Sequence, residues 1–178
     1  ISNLTIIFLY HLMLFITTRD WSYLLYCLYV LSVDLVILID GLFLPFGISN
    51  GSYQLWSTGI YVFMGLISVF YYLFSRSFLN LKTLLPKWDR IFLWIVALKV
   101  FLLVIGIWLE NWFMDEQFTS WSTYAIFFID IPFLLWFFVP LYKTHYRPGR
   151  YFIVASGIVF FFGFSLIVFG RMIGIQPF

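Results

Sequence analysis

The 178-residue chain has few charged residues and almost no cysteine. Charged residues make up 10% of the sequence and hydrophobic residues 63%, whereas soluble globular domains contain about 25% and about 45–50%. Such a composition cannot cover a water-facing surface, so it excludes a soluble domain. The lone Cys27 excludes an intrachain disulfide and leaves any metal site without a second thiolate. We interpret Cys27 as a small apolar side chain inside a helix.

The chain also lacks the short motifs that mark common catalytic centres. It contains no G-x-S-x-G, H-E-x-x-H or G-x-x-x-x-G-K-[ST] pattern, and its two histidines stand far apart. A retinal-binding lysine would lie in the last helix, as in microbial rhodopsins, whereas Lys99 lies in the fourth apolar run. No basic stripe suggests a nucleic-acid partner. We therefore predict no catalytic residue, no cofactor and no metal site, and not an enzyme.

Six long apolar runs occupy most of the sequence, and each is typical of a transmembrane helix. A helix needs about 20 residues to cross a hydrocarbon layer of about 30 Å, and the runs are too long and too uniformly apolar for transmembrane strands. The runs cover residues 4–17, 22–44, 55–74, 91–109, 121–142 and 151–173. We predict an all-α, polytopic transmembrane helix bundle forming a single domain over residues 1–178. Because the first run is too short to span alone, we expect this domain to be a fragment.

The gaps between the runs alternate in charge. Eight of the ten basic residues lie in the first, third and fifth gaps, whereas the second gap is uncharged and the fourth contains only acidic charges. Short loops rich in Lys and Arg stay on the cytoplasmic side, so the alternation predicts a multi-pass protein in a lipid bilayer, with its first residue outside the cytoplasm. The predicted cytoplasmic residues are Arg19, Arg76, Lys82, Lys87, Arg90, Lys143, Arg147 and Arg150.

The longest gap, residues 77–90, mixes leucine and phenylalanine with lysine and arginine. This pattern predicts a short amphipathic segment in the cytoplasmic headgroup layer, with its cations near anionic lipid. A solvated connector accounts for the same residues equally well.

Three ionisable residues lie well inside the apolar runs, and their positions along the runs place them at similar membrane depths. They are Asp34, Lys99 and Asp130. Each costs at least about 2.5–3.5 kcal/mol on insertion scales, and mutual pairing would offset much of that cost. We predict that the three residues form a polar cluster inside the bundle. One hypothesis is that the cluster has two pairing states and helps to switch the bundle; the alternative is a static ion pair that fixes helix register.

Other polar or small residues have simpler interpretations. His11 is a candidate proton-sensitive group, although a hydrogen bond to a neighbouring helix is the interpretation we favour. Asp40 is expected to be satisfied by water or a helix-terminal hydrogen bond, and Arg171 to reach the outer headgroups. Gly170 and Gly174 form a G-x-x-x-G pattern that fits either a homodimer contact or close packing within the bundle.

Five stretches carry a family resemblance through their sequences and through their order and spacing along nearly the whole chain. They are residues 10–15, 19–26, 74–81 (followed by Pro86), 149–153 and 170–177. The first two resemble the junction of helices one and two in the bacterial seven-transmembrane receptors with diverse intracellular signalling modules. The third resembles the third gap of that family, and the last two resemble the entry and exit of its sixth helix.

The resemblance implies a receptor role. Members carry an extracellular sensory domain, seven helices and a cytoplasmic output module such as a histidine kinase or a nucleotide cyclase, in the bacterial inner (cytoplasmic) membrane. It therefore implies that six of seven helices are present, that the first is truncated, and that the seventh helix and both fused domains are missing. The expected function is relay of an extracytoplasmic stimulus to that output module.

Two other classes of function remain as alternatives. A transporter or permease fragment would use Asp34, Lys99 and Asp130 to line a substrate or proton path, and an inverted repeat, which the sequence does not display, would favour it. An intramembrane enzyme is disfavoured by the missing motifs.

Overall fold

The computed structural model of the chain describes residues 3–46, 50–113 and 117–158. All the regular structure within these residues is helical, which confirms the predicted all-α class. The elements are α1 (Asn3–Thr18), α2 (Trp21–Phe46), α3 (Asn50–Phe78), α4 (Leu81–Leu84), α5 (Pro86–Phe113), α6 (Gln117–Lys143) and the described part of α7 (147–158).

Four helices in the described residues, α2, α3, α5 and α6, are long and apolar enough to cross a bilayer, and α1 is a shorter apolar helix. The helices extend beyond the apolar runs because backbone hydrogen bonding continues through the interfacial layer, where hydropathy falls. The 28 residues of α5 correspond to a helix length of about 42 Å. A bilayer with its headgroups has a similar thickness, about 40–45 Å. Of the sixth predicted run, residues 159–173 lie outside the described residues.

A tight turn separates α1 from α2. Arg19 adopts a left-handed conformation with φ 57° and donates its N–H to the carbonyl of Phe15. The side chain of Asp20 then accepts the N–H of Ser22 at 2.9 Å, which satisfies a free donor at the start of α2. This turn makes α1 and α2 antiparallel neighbours.

The connection from α3 to α5 is also short, and it contains the one-turn helix α4. Asn80, in the left-handed region at φ 48°, ends α3, and asparagine is among the residues that best tolerate this conformation. Pro86 opens α5, where its missing N–H would have had no helical partner. Leu79 and Leu81 are fully buried while Lys82 is exposed, so the connection is amphipathic. Its location in the headgroup layer stays a prediction.

Contacts among the helices of the first compact unit, Ile1–Phe128, follow the chain order. α2 packs against α1 and α3, and α3 packs against α5. The beginning of α6 joins α3 and α5 through a core of Val69, Leu103 and Ile126. Glycine permits close approach here: a Cβ at Gly106 would stand 2.9 Å from the Cβ of Ser122. Small residues let membrane helices approach in this way.

The second compact unit, Ile129–Phe178, is described from the later part of α6 to residue 158. α6 continues through Pro132 and Pro140, and a left-handed His145 leads into α7. Phe137 and Leu141 are fully buried. A Cβ at Gly149 would stand 2.9 Å from the Cδ1 of Leu141, so this glycine lets the start of α7 lie against the end of α6.

Candidate functional site

Lys99, the basic member of the predicted cluster, is fully buried in the middle of α5. Its Nζ donates a hydrogen bond of 2.6 Å to the Oγ of Ser68 on α3 and lies 3.4 Å from the ring centroid of Tyr72. A hydroxyl acceptor and an aromatic face both stabilise an ammonium group removed from water. Lys99 thereby links α5 to α3 at membrane depth.

A second link between α3 and α5 is an ion pair. The Nε of Arg76 donates to the Oδ1 of Asp89 at 2.6 Å, and its Nη2 donates to Oδ2 at 3.1 Å. This is the bidentate geometry in which a guanidinium binds a carboxylate most strongly. Asp89 also lies in the first turn of α5, where the helix dipole favours a negative charge. Only 10% of the Asp89 side chain and 33% of the Arg76 side chain are exposed.

A third link lies at the far end of the same two helices. One carboxylate oxygen of Glu110 accepts the hydroxyl of Thr58 on α3, and the other accepts the hydroxyl of Thr119 on α6. Nearby, the hydroxyl of Thr123 donates a hydrogen bond of 3.1 Å to the backbone carbonyl of Tyr61. Glu110 therefore joins three helices through a single side chain.

These three links follow one register along the antiparallel helices, and we call them the α3–α5 polar bridges. They are Thr58–Glu110, Ser68–Lys99 and Arg76–Asp89. Thr58 and Arg76 lie roughly 27 Å apart along α3 at about 1.5 Å per residue, so the bridges extend over nearly the whole hydrocarbon thickness of about 30 Å. At the middle bridge, where Lys99 is fully buried, a broken hydrogen bond has no water to replace it.

The two carboxylates of the predicted cluster have contacts of their own. Asp34 on α2 accepts the hydroxyl of Thr5 on α1 at 2.9 Å, which links these two helices. Asp130 is 3% exposed and belongs to the second compact unit. The Asp34–Lys99–Asp130 cluster stays a prediction.

His11 contacts both its own helix and the next. Its Nδ1 lies 2.9 Å from the carbonyl oxygen of Ile7, one turn earlier in α1, and its ring centroid is 4.4 Å from that of Tyr26 on α2. The hydrogen bond thus goes to α1 rather than to a neighbouring helix. The interpretations of the Asp40 side chain, Gly170, Arg171 and Gly174 concern positions outside the described side chains.

The basic residues predicted to be cytoplasmic fall in both units. Arg19, Lys82, Lys87 and Arg90 are exposed, and with the partly buried Arg76 they belong to the first unit. Lys143, Arg147 and Arg150 are exposed in the second unit. There, Arg150 contacts the Nδ1 of His145 at 2.7 Å. The side of the membrane on which these residues lie stays a prediction.

An open cleft of ≈ 360 Å³ lies beside the Arg76–Asp89 pair. A hydrogen bond of 2.8 Å between the hydroxyls of Ser22 and Ser77 joins α2 to α3 at this point. We call this end of the α3–α5 pair the basic end and the Glu110 end the opposite end. The cleft is lined by Trp21, Leu25, Leu73, Arg76, Ser77, Asn80, Lys82 and Asp89.

Sequence reasoning did not identify several of these contacts. Asp89 lies among the basic residues of the third gap and Glu110 among the acidic residues of the fourth, so the charge pattern indicates a partner for neither. Hydroxyl residues such as Ser68 and Thr58 carry no distinctive sequence signal. A usable signal did exist: short connections make α3 and α5 antiparallel, so Arg76 and Asp89 must lie at the same end.

Comparison with known proteins identifies one family. The family model described as 7TM diverse intracellular signalling matches residues 2–178. The comparisons with curated proteins and with solved structures found no match. The family match covers nearly all of the chain and agrees with its long apolar helices. The chain therefore belongs to the 7TM diverse intracellular signalling family and is a multi-pass transmembrane domain of the sensory receptor type.

Proposed function

We propose that this domain relays an extracytoplasmic stimulus to a cytoplasmic output module, and that the α3–α5 pair carries the relay. The proposal includes a bacterial inner-membrane location, with the basic end toward the cytoplasm. A histidine kinase or a nucleotide cyclase would be a typical output module. The alternating charges of the gaps support this orientation.

The observation that carries the proposal is the set of α3–α5 polar bridges at three depths. In hydrocarbon, separating the buried Lys99 from Ser68 leaves polar groups unsatisfied, at several kcal/mol each. Sliding or parting the two helices is therefore costly, and a displacement of one helix moves the other with it. Rigid secondary elements of this kind can couple distant sites when they have two discrete arrangements.

Glu110 supplies a point of entry for such a displacement. It ties α3 and α5 to Thr119 near the start of α6, so a shift of the α5–α6 connection acts on both helices. At the basic end, the same pair terminates in Arg76 and Asp89. A stimulus at the opposite end would then change the arrangement of the basic end, provided that it binds the two arrangements with different affinity.

The test is Lys99→Met in the full-length receptor in its own host. Genes whose expression changes when the receptor gene is deleted report its output. We expect the Lys99→Met strain to match the deletion strain for these genes, because methionine fills the space but cannot bind Ser68. Its membrane level should equal that of the wild type.

The matched control is Val100→Met, one residue further along α5, where 43% of the side chain is exposed. This variant should keep the wild-type response. A wild-type response from Lys99→Met at normal membrane level would show that the bridge does not carry the signal.

A further inference from the structure

The cleft at the basic end combines polar and apolar walls in a fixed order. Arg76, Ser77 and Lys82 lie near the end of the bundle, and Leu25 and Leu73 lie about one helical turn further along the spans. Trp21, 65% exposed, opens α2 beside the polar residues, where an indole ring commonly meets headgroups. The cleft thus changes from polar to apolar toward the membrane interior.

The polar wall carries an excess of positive charge. Arg76 and Lys82 are cations, and Asp89 is the one carboxylate among the lining residues. The pair with Asp89 uses the Nε and Nη2 of Arg76, so Nη1 does not take part in it, and a guanidinium has five N–H donors. Lys82 is exposed and adds three more donors. Such an arrangement suits an anion with several acceptor oxygens.

We propose that this cleft binds one anionic phospholipid, with its phosphodiester between Arg76 and Lys82 and an acyl chain along Leu25 and Leu73. The order of the walls selects a lipid over a free phosphate, because a free anion would leave the apolar wall unused. The volume of ≈ 360 Å³ falls in the range of about 300–1,000 Å³ typical of small-molecule sites. The Arg76–Asp89 bridge stays intact when the phosphate takes Nη1.

This site is independent of the proposed relay, since it requires only the walls of the cleft. It differs from general attraction of a basic surface to anionic lipid because it assigns the effect to Lys82 and not to its neighbour Lys87. Lys87 is exposed in the same connection but does not line the cleft. The two lysines therefore form a matched pair for a test.

The test is native mass spectrometry of the full-length protein in detergent, titrated with phosphatidylglycerol or phosphatidylcholine. We expect one phosphatidylglycerol to bind about tenfold more tightly than phosphatidylcholine. Lys82→Gln should lower the phosphatidylglycerol affinity about fivefold, as loss of one cation near a lipid headgroup does. Lys87→Gln should change it less than twofold, and Lys82→Arg should retain it.

Three outcomes would overturn the proposal. Equal affinity for the two lipids would show that the cleft does not select an anionic headgroup. An equal loss of phosphatidylglycerol affinity in Lys82→Gln and Lys87→Gln would show only diffuse attraction of the basic surface to anionic lipid. Competition by millimolar inorganic phosphate or glycerol 3-phosphate would assign the cleft to a soluble phosphate compound instead. Unchanged unfolding midpoints of the lysine variants show that the affinities report on binding and not on folding.

Discussion

The two ends of the α3–α5 pair are held by different chemistry. At the basic end, a bidentate ion pair between Arg76 and Asp89 stands beside an open cleft. At the opposite end, Glu110 is bound by the hydroxyls of Thr58 and Thr119. The bridge at the basic end joins two charged side chains in a fixed geometry. The bridge at the opposite end joins one carboxylate to two neutral hydroxyl donors.

The packing around the two bridges differs as well. Near Glu110, α5 approaches α6 so closely that Gly106 has no room for a side chain. At the basic end, the helices leave a space that a ligand can enter. The comparison teaches that one end combines side-chain hydrogen bonds with close backbone packing, while the other combines a charged pair with open space between the helices.

The largest effect on stability is expected at the closely packed end, from Gly106→Ala. The added Cβ would stand 2.9 Å from the Cβ of Ser122 and 3.3 Å from the carbonyl oxygen of Phe118, and such overpacking typically costs about 1–3 kcal/mol. The measurement is the unfolding midpoint in mixed micelles titrated with sodium dodecyl sulfate.

The control for this variant is Gly59→Ala on α3, where a Cβ would meet nothing within 4 Å. Its stability should change by less than about 1 kcal/mol, the difference in helix propensity between the two residues. Equal midpoints for the two alanine variants would contradict the close approach of α5 and α6.

A smaller loss is expected at the basic end from Asp89→Asn. The amide keeps one acceptor for Arg76 but removes the ion pair and the favourable charge in the first turn of α5. Hydrogen bonds to charged groups contribute about 1.5–3 kcal/mol, and partial exposure of Arg76 lowers this, so we expect about 1–2 kcal/mol in the same titration. Lys87→Gln, an exposed charge in the same turn, should be neutral. Matching midpoints would show that the pair adds nothing to stability.

The smallest effect is expected from Glu110→Gln. Glutamine keeps an acceptor oxygen for one threonine, and its amide can donate to the other once that hydroxyl rotates. The loss should stay below about 1 kcal/mol. Glu110→Leu, which leaves the buried hydroxyl of Thr119 without its partner, should cost more, about 1–3 kcal/mol. A loss for Glu110→Gln as large as for Glu110→Leu would mean that this bridge needs the negative charge.

The apolar runs and their gaps were enough to predict the helical class, because a hydrocarbon layer accepts few backbone arrangements. They were not enough to predict helix ends: α3 and α5 extend several residues beyond the apolar runs at 55–74 and 91–109. Hydropathy reports where a helix leaves hydrocarbon, whereas its hydrogen bonds continue into the headgroup layer. The free-energy cost of burying a lysine in the membrane singled out Lys99, but no such cost marks its partner Ser68.

Composition, run length and motif order by themselves determined that this chain is a membrane helix bundle of the 7TM diverse intracellular signalling family. Each of these properties belongs to a segment of the sequence and does not depend on its contacts with other segments. Only the tertiary structure decided that Arg76 pairs with Asp89, that Glu110 joins three helices, and that a cleft opens beside Lys82. Partner choice depends on the rotation and register of packed helices, and these arise from contacts between segments, such as the close approach of Gly106 to Ser122, that no single segment encodes.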